Sequence, residues 1–263
     1  MSKPRYSQVF LKDSNILRKI VERAQIAEDE WVLEIGPGRG YLTNELLNAG
    51  ARVIAIEVDK DLFTLLNREF LLFVNDRLFL YNEDFLKANL FEIFNRIGVE
   101  KAKVVSNIPY HITTPILEKL VYSRVLFPEI YLTVQKEVAE RIVAKTGTKE
   151  YGSLSIFLNL YFDCKIEFKI SRYSFSPVPR VDSAFISLRS KNTPDLKDFE
   201  SFVRRLFTGR RKKIRTLLRG MGKYHTFIEE KFSHYLDRRP EELEISQLYE
   251  IFTEVNTVKD TIE

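Results

Sequence analysis

Three glycines in five positions, Gly36, Gly38 and Gly40, stand between an apolar run at 31–35 and a helical pattern that begins at Tyr41, and this turn restricts the fold more than any other stretch. Such a segment reads as strand, tight turn and helix, the helix showing its apolar side at Leu42, Leu46 and Leu47. Glycine tolerates positive φ, and without a Cβ it lets the backbone approach a bound molecule closely. Twenty-one residues after Gly36, a second strand-like run at 52–56 ends in Glu57. A carboxylate at that place can accept hydrogen bonds from both hydroxyls of a ribose. A dinucleotide fingerprint would need glycine where Tyr41 stands, and no Lys-Ser/Thr pair follows to make a phosphate loop of the Walker kind.

With Glu34 two places before its first glycine, the turn resembles the first motif of S-adenosylmethionine-dependent methyltransferases, whose cofactor carries an amino-acid tail where a dinucleotide carries pyrophosphate. Composition allows it. With 263 residues, 44% of them hydrophobic, the chain can bury a large core in one domain, or in a large and a small one. Cys164 is the single cysteine, and His111, His225 and His234 are scattered, so neither a disulfide nor a metal centre is expected. No stretch reads as a membrane span or an apolar signal core, and the expected location is cytoplasmic.

The net charge of +4 hides an uneven distribution. Positions 201–223 carry nine Lys or Arg and no acid, so the remainder of the chain nets about −5. Without acids in the run to form i,i+4 pairs, the pattern points to a polyanion as the source of countercharge. Arg204, Arg205, Arg210, Arg211, Lys212, Lys213 and Arg215 are the candidate contacts, on a face of a helical tail.

Taken in order, the spacing predicts a helix at 14–24 capped by Ser14 or Asp13, the glycine turn with its helix to Asn48, and a helix from Asp59 to Phe73. A short strand at 78–81 follows. Strands and helices alternate, which predicts a parallel sheet with helices on both faces and ligands at the carboxyl ends of its strands. Asp84 falls at such an end, where it can accept from an exocyclic amino group while Phe85 packs on a purine; the competing reading is a turn cap for 87–89. Strands are further expected at 103–106, 129–134, 164–170 and 184–188, with helices from Thr114, over 135–145 and over 154–160. The loop 146–152 suits a mobile lid or an RNA contact. After the breaker Asn192-Thr193-Pro194 the pattern is wholly helical, at 199–207, 213–218, 227–235 and 245–255, which divides the chain into 1–190 and 191–263.

Asn107-Ile108-Pro109-Tyr110, at the end of the fourth strand, is the most specific chemical signal. An adenine amino nitrogen is a poor nucleophile because its lone pair is delocalised into the ring. Acceptors from the Asn107 side chain and the carbonyl of Ile108 or Pro109 would favour the tetrahedral nitrogen that attacks a methyl group. Proline fixes the backbone, and Tyr110 offers a flat surface to an extruded base. Pro177 and Pro179 stiffen a loop that either holds Phe175 against a base or is a rigid core connection.

Together these segments resemble the rRNA adenine N6-dimethyltransferase family, within it the small-subunit, KsgA type. The likeness runs through Gln-x-Phe-Leu at 8–11, Glu-x-Gly-Pro-Gly-x-Gly-x-Leu-Thr at 34–43, Glu57, Asp84, Asn-Ile-Pro-Tyr at 107–110, Gln-Lys-Glu-Val-Ala-x-Arg at 135–141, Tyr-Gly-x-Leu-Ser at 151–155 and Phe-x-Pro-x-Pro-x-Val-x-Ser at 175–183. It implies an α/β fold, a Rossmann-like and mostly parallel sheet of seven strands with a small all-α C-terminal domain that binds RNA. It implies S-adenosylmethionine as cofactor and dimethylation of two adjacent adenosines in the 3′-terminal hairpin of small-subunit (16S) rRNA, by a monomer acting late in subunit assembly. Gln8, Val9, Leu11, Glu34, Gly36, Gly38, Glu57, Asp84, Phe85 and Asn107 would line the cofactor site, and Asn107, Pro109, Tyr110 and Phe175 would hold the target base. Val9 stands where many members have Asn, so only its backbone is available for contact. The alternatives are a large-subunit (23S) rRNA adenine N6-methyltransferase of the macrolide-resistance kind, or an rRNA-binding assembly factor whose catalysis is dispensable.

Overall fold

The computed structural model of the chain describes residues 9–219 and 232–262, so Gln8 and part of the helix expected at 227–235 lie outside the described residues. Two compact units emerge: Met1–Ala139 with Phe162–Ser190, and Glu140–Tyr161 with Lys191–Glu263. The sequence division at 190 therefore differs over one segment, 140–161, which joins the tail.

The first unit begins with β1 (Phe10–Leu11) and α1 (Ser14–Ala24), the latter capped by Asp13, whose carboxylate accepts from the amides of Asn15 and Ile16. Then follow β2 (Trp31–Ile35), α2 (Tyr41–Asn48), β3 (Arg52–Ile56), α3 (Lys60–Glu69), β4 (Leu78–Tyr81), α4 (Leu90–Arg96), β5 (Lys103–Asn107), α5 (Thr113–Tyr122) and β6 (Glu129–Gln135). After α6 (Lys136–Ile142) and α7 (Ser153–Tyr161) the chain returns as β7 (Phe162–Ile170), β8 (Phe175–Ser176) and β9 (Ser183–Ser190). Seven strands form one sheet in the order β4-β3-β2-β5-β6-β9-β7. The first five run parallel, β9 is antiparallel to β6, and β7 is antiparallel to β9. The interior strands are buried nearly end to end, as a sheet covered on both faces demands. Helix α4 was not anticipated; Asn89 caps it through the Glu92 amide. Helix α3 stops at Glu69 rather than Phe73, and Leu66 and Phe70 close over Gly40, where an added Cβ would meet the Phe70 ring at 2.5 Å.

Topology places the crevice. The chain builds outward from β2 to β3 and β4, then returns to lay β5 on the other side of β2, so the order reverses between β2 and β5. Their pairing is in register only at Val32↔Lys103 and Leu33↔Val104. Beyond it the Ser106 hydroxyl bridges them, donating to the Ile35 carbonyl at 2.6 Å and accepting from the Ile35 amide at 3.2 Å.

In the second unit, α7 buries seven of its nine residues and needs cover on more than one side. Helix α8 (Lys197–Thr208) supplies part of it: the Arg204 guanidinium lies over the Phe157 ring, and the Tyr161 hydroxyl is bonded to Glu200 and to the Leu196 amide. This packing explains why 140–161 leaves the sheet unit. Phe199 and Phe202 of α8 pack on Phe252 of α11 (Ile245–Ile262), with α9 (Ile214–Arg219) and α10 (Ser233–Leu236) between them in sequence. The 146–152 loop is fastened, with the Gly147 amide bonded to the Glu241 carbonyl and Tyr151 buried.

Candidate active site

A cavity of about 290 Å³, near the lower end of ligand-site volumes, opens at the carboxyl ends of β2, β3, β4 and β5. Its wall brings together Val9, Leu11, Glu34, Gly36, Gly38, Glu57, Asp84, Asn107, Pro109 and Tyr110, all nominated from sequence. Phe10, Tyr41, Leu62, Leu86 and His111 also line it and were not nominated for a site.

The glycine turn works as its spacing implies. Gly36, Gly38 and Gly40 all have positive φ, between 60° and 78°. At Gly38 a Cβ would come within 2.7 Å of the Phe10 ring, so the N-terminal strand rests directly on the turn. At Gly36 such an atom would meet the Pro109 ring at 3.8 Å, ordinary van der Waals contact, so the turn faces the Asn107 loop across a gap that a side chain would fill.

Two carboxylates sit behind the turn. Glu57 accepts from the Gly38 amide at 3.0 Å and from the Asp59 amide at 2.9 Å, each through a different oxygen. Burial raises its pKa, while those amides pull it back. Glu34 is buried and accepts from the Thr43 hydroxyl at 2.7 Å; burial, with Glu57 adding repulsion, pushes its pKa up to about 8 against the Thr43 bond. Asp84 spends one oxygen on the Leu86 amide, so the turn-cap reading is present in the structure together with the wall position.

Phe85 differs from expectation. It is buried outside the wall, under the Lys119 ammonium, and Leu86 takes the lining place. Lys119, from α5, also donates to the Ala88 carbonyl, which pins the Asp84 loop to the helix that follows the Asn107 motif. Burial lowers its pKa, and Glu83 and Asp84 oppose that. Nothing in the sequence marked Lys119, a single cation next to Glu118 on a largely apolar helix.

At the Asn107 motif the side-chain nitrogen donates to the Val9 carbonyl at 3.4 Å, which sets the orientation of the amide. Its oxygen is buried and, among the described residues, has no hydrogen-bond partner, a costly condition for an acceptor. Tyr110 is held at both ends: its hydroxyl is 2.6 Å from the Ser183 hydroxyl, and the Phe175 ring stands edge-on to it at 6.5 Å. Phe175 is 1% exposed and absent from the cavity wall, so it supports Tyr110 from behind instead of facing a base. Strand β8 ties this support to the front of the cavity, pairing Leu11↔Phe175 and Phe10↔Ser176.

The cationic run differs more. The fold brings acids from later in the chain to it: Arg210 pairs with Glu241 at 2.6 Å, Lys213 with Asp237 at 3.2 Å, and Arg215 with Asp237 at 3.7 Å. Lys213, then Arg215, hold the Asp237 carboxyl below its usual range. Arg204 covers Phe157. Arg211 and Lys212 are exposed and, among the described residues, have no acidic partner.

A family model described as ribosomal RNA adenine dimethylase matches residues 1–257. The chain belongs to that family. It is therefore an S-adenosylmethionine-dependent methyltransferase with an rRNA substrate. Among dimethylase relatives, it is 42% identical to the ribosomal RNA small subunit methyltransferase A of Mycoplasmopsis synoviae over 97% of each chain. It is 38% identical to that of Thermotoga neapolitana, over 95% of this chain and 90% of the other. A crystal structure of a dimethyladenosine transferase from Plasmodium falciparum superposes with a TM-score of 0.81 at 27% identity, covering 94% and 98% of the two chains. The 23S rRNA methyltransferase ErmE gives 0.70 at 28%, covering 94% and 99%.

The residues of the cavity fit the family's cofactor: a glycine bend whose missing Cβ leaves a cradle against Pro109, acids beneath it, and a buried acceptor without a partner among the described residues. Among the described residues, no group of acids, His and Cys is placed to hold a metal, and no helix is long and apolar enough to cross a membrane.

Proposed function

We propose that this chain dimethylates the N6 amino groups of two adjacent adenosines in the 3′-terminal hairpin of small-subunit rRNA, as a cytoplasmic monomer acting on the assembling small subunit. The unpartnered Asn107 oxygen supports the chemistry best. An acceptor buried beside Pro109 and Tyr110 is suited to a ligand that brings N–H donors, and an exocyclic amine brings two.

S-adenosylmethionine supplies, when bound, a methyl group on a positively charged sulfur, an activated donor that requires no strong base from the protein. Glu57 holds ribose hydroxyls with the acceptor capacity that Gly38 and Asp59 leave unused. Asp84 offers its second oxygen to an exocyclic amine, and Lys119 holds that loop in place. Asn107 and a main-chain carbonyl take the hydrogens of the target nitrogen. Pro109's carbonyl already accepts from Ile112 at 3.3 Å, which favours Ile108's. Tyr110 stacks on the base, and Ser183 and Phe175 fix its plane. Arg211 and Lys212, with Arg204 and Arg205, are the cations best disposed toward phosphates. The large-subunit alternative draws its support from shared fold.

Incubation with labelled S-adenosylmethionine and undermethylated small subunits, followed by nucleoside analysis, tests the reading. Label is expected in N6,N6-dimethyladenosine near the 3′ end of the small-subunit RNA. Label confined to large-subunit RNA, or none in adenosine, would overturn it.

A further inference from the structure

Tyr173 lies two residues before Phe175 and exposes 68% of its surface, yet the turn that carries it is tightly held. Its own amide donates to the Ser171 hydroxyl, and the Arg172 amide donates to Asp182 at 3.0 Å. The Ser174 hydroxyl bonds Asp13, and the Ser174 carbonyl accepts from the Lys12 amide. A single exposed aromatic is ordinary on a protein surface. This one is different because it is immobilised while burying little, and because a guanidinium lies over it. The Arg172 guanidinium lies 5.0 Å from the ring centroid and donates to the phenol oxygen at 3.0 Å and to the Arg180 carbonyl at 3.4 Å. Arg180 is exposed on the same loop. Asp182, the one acid between 171 and 183, is engaged with the Arg172 amide.

We propose that Tyr173, with Arg172 and Arg180, forms a stacking shelf for an unpaired RNA base next to the target adenosine. The inference rests on the RNA reading above and adds a site to it. Extruding one nucleotide unstacks its neighbours, and an aromatic face with guanidinium groups beside it takes such a base and its phosphate. Continuity with the base pocket gives the shelf its place: the same loop supplies Phe175 and Ser183, which hold Tyr110. A rigid shelf pays little ordering entropy when the base arrives.

The test measures steady-state methylation of undermethylated small subunits, and their direct binding, for Tyr173→Ala, Tyr173→Leu and Tyr173→Phe, with thermal melting as a control on folding. Ala and Leu are expected to raise KM and the subunit dissociation constant on the order of tenfold, with kcat and cofactor affinity unchanged. Phe is expected to behave as wild type, since stacking needs the ring and not the hydroxyl. Wild-type KM in Tyr173→Ala, or equal performance of Leu and Phe, would overturn the shelf while leaving the methyl-transfer reading intact. Failure of the wild-type protein to methylate small subunits would remove both.

Discussion

The cavity and the cationic run of the tail are both polar, and they handle charge in opposite ways. In the cavity, charge is scarce and buried, and each carboxylate is met by uncharged donors: Glu57 by the Gly38 and Asp59 amides, Glu34 by the Thr43 hydroxyl. In the tail, charge is dense and exposed, and its acidic partners arrive from 22 to 31 residues away. The first arrangement is a fixed receptor for one small molecule. The second is a surface that has already neutralised part of itself and leaves Arg211 and Lys212 exposed, the pair proposed above to meet RNA phosphates. The two regions should therefore fail differently when altered, the cavity in chemistry and cofactor affinity, the tail in RNA affinity and salt dependence.

The sharpest way to break this contrast is Asn107→Ala. Loss of one preorganised hydrogen-bonding group is expected to lower kcat about 10²- to 10³-fold, with subunit binding within a few-fold of wild type. Single-turnover methylation with pre-bound subunits measures it; a drop in subunit affinity with normal chemistry would assign Asn107 to the tail's kind of role.

Next comes the pH dependence of stability in the absence of ligand. Because the folded protein holds Glu34 at a pKa of about 8 against 4.5 when unfolded, it binds the extra proton between those values, and stability falls as pH rises through that window. The cost at pH 7 is on the order of 3 kcal/mol. Glu34→Gln should recover most of it and flatten melting temperature between about pH 5 and pH 8. An unchanged slope would place the titrating group elsewhere.

Glu57→Gln tests the same wall from the ligand side. It weakens hydrogen bonds to a charged acceptor worth roughly 1.5–3 kcal/mol each, so calorimetry should show cofactor affinity reduced roughly tenfold or more. Intact affinity would remove Glu57 from the ribose site.

The smallest effect sharpens the other half. Replacing Arg211 and Lys212 together by Ala should lower the salt slope of subunit binding by about 2, one for each phosphate contact. Lys213→Ala, which removes a cation already paired with Asp237, should change the slope less. A fall of about 1 for Lys213→Ala would mean that the ion pairs open on RNA and that the whole run is used.

The same contrast explains what could be read before the fold was known. The glycine turn, Glu57 and Asn107 lie at strand ends, where an apolar run stops and chemistry begins, so periodicity alone locates them on one rim of the sheet. Phe175 and Phe85 sit in equally suggestive stretches, but which face of a loop is buried depends on packing partners far away in the chain: Tyr110 for one, Lys119 for the other. The antiparallel return of β7 and β9 was hidden for a similar reason, since strand direction is set by the helices inserted between strands. Asp237 and Glu241 lay outside the window over which the run's charge was summed.

The short ladder that joins Phe10 to Ser176 connects positions more than 160 residues apart. Contacts of such separation form late, because the intervening chain must first be synthesised and collapsed. A partly made polypeptide emerging from the ribosome would thus carry the glycine turn and Asn107 without the brace that closes over them. Closure of the front of the cavity would then await translation of nearly all of the first unit.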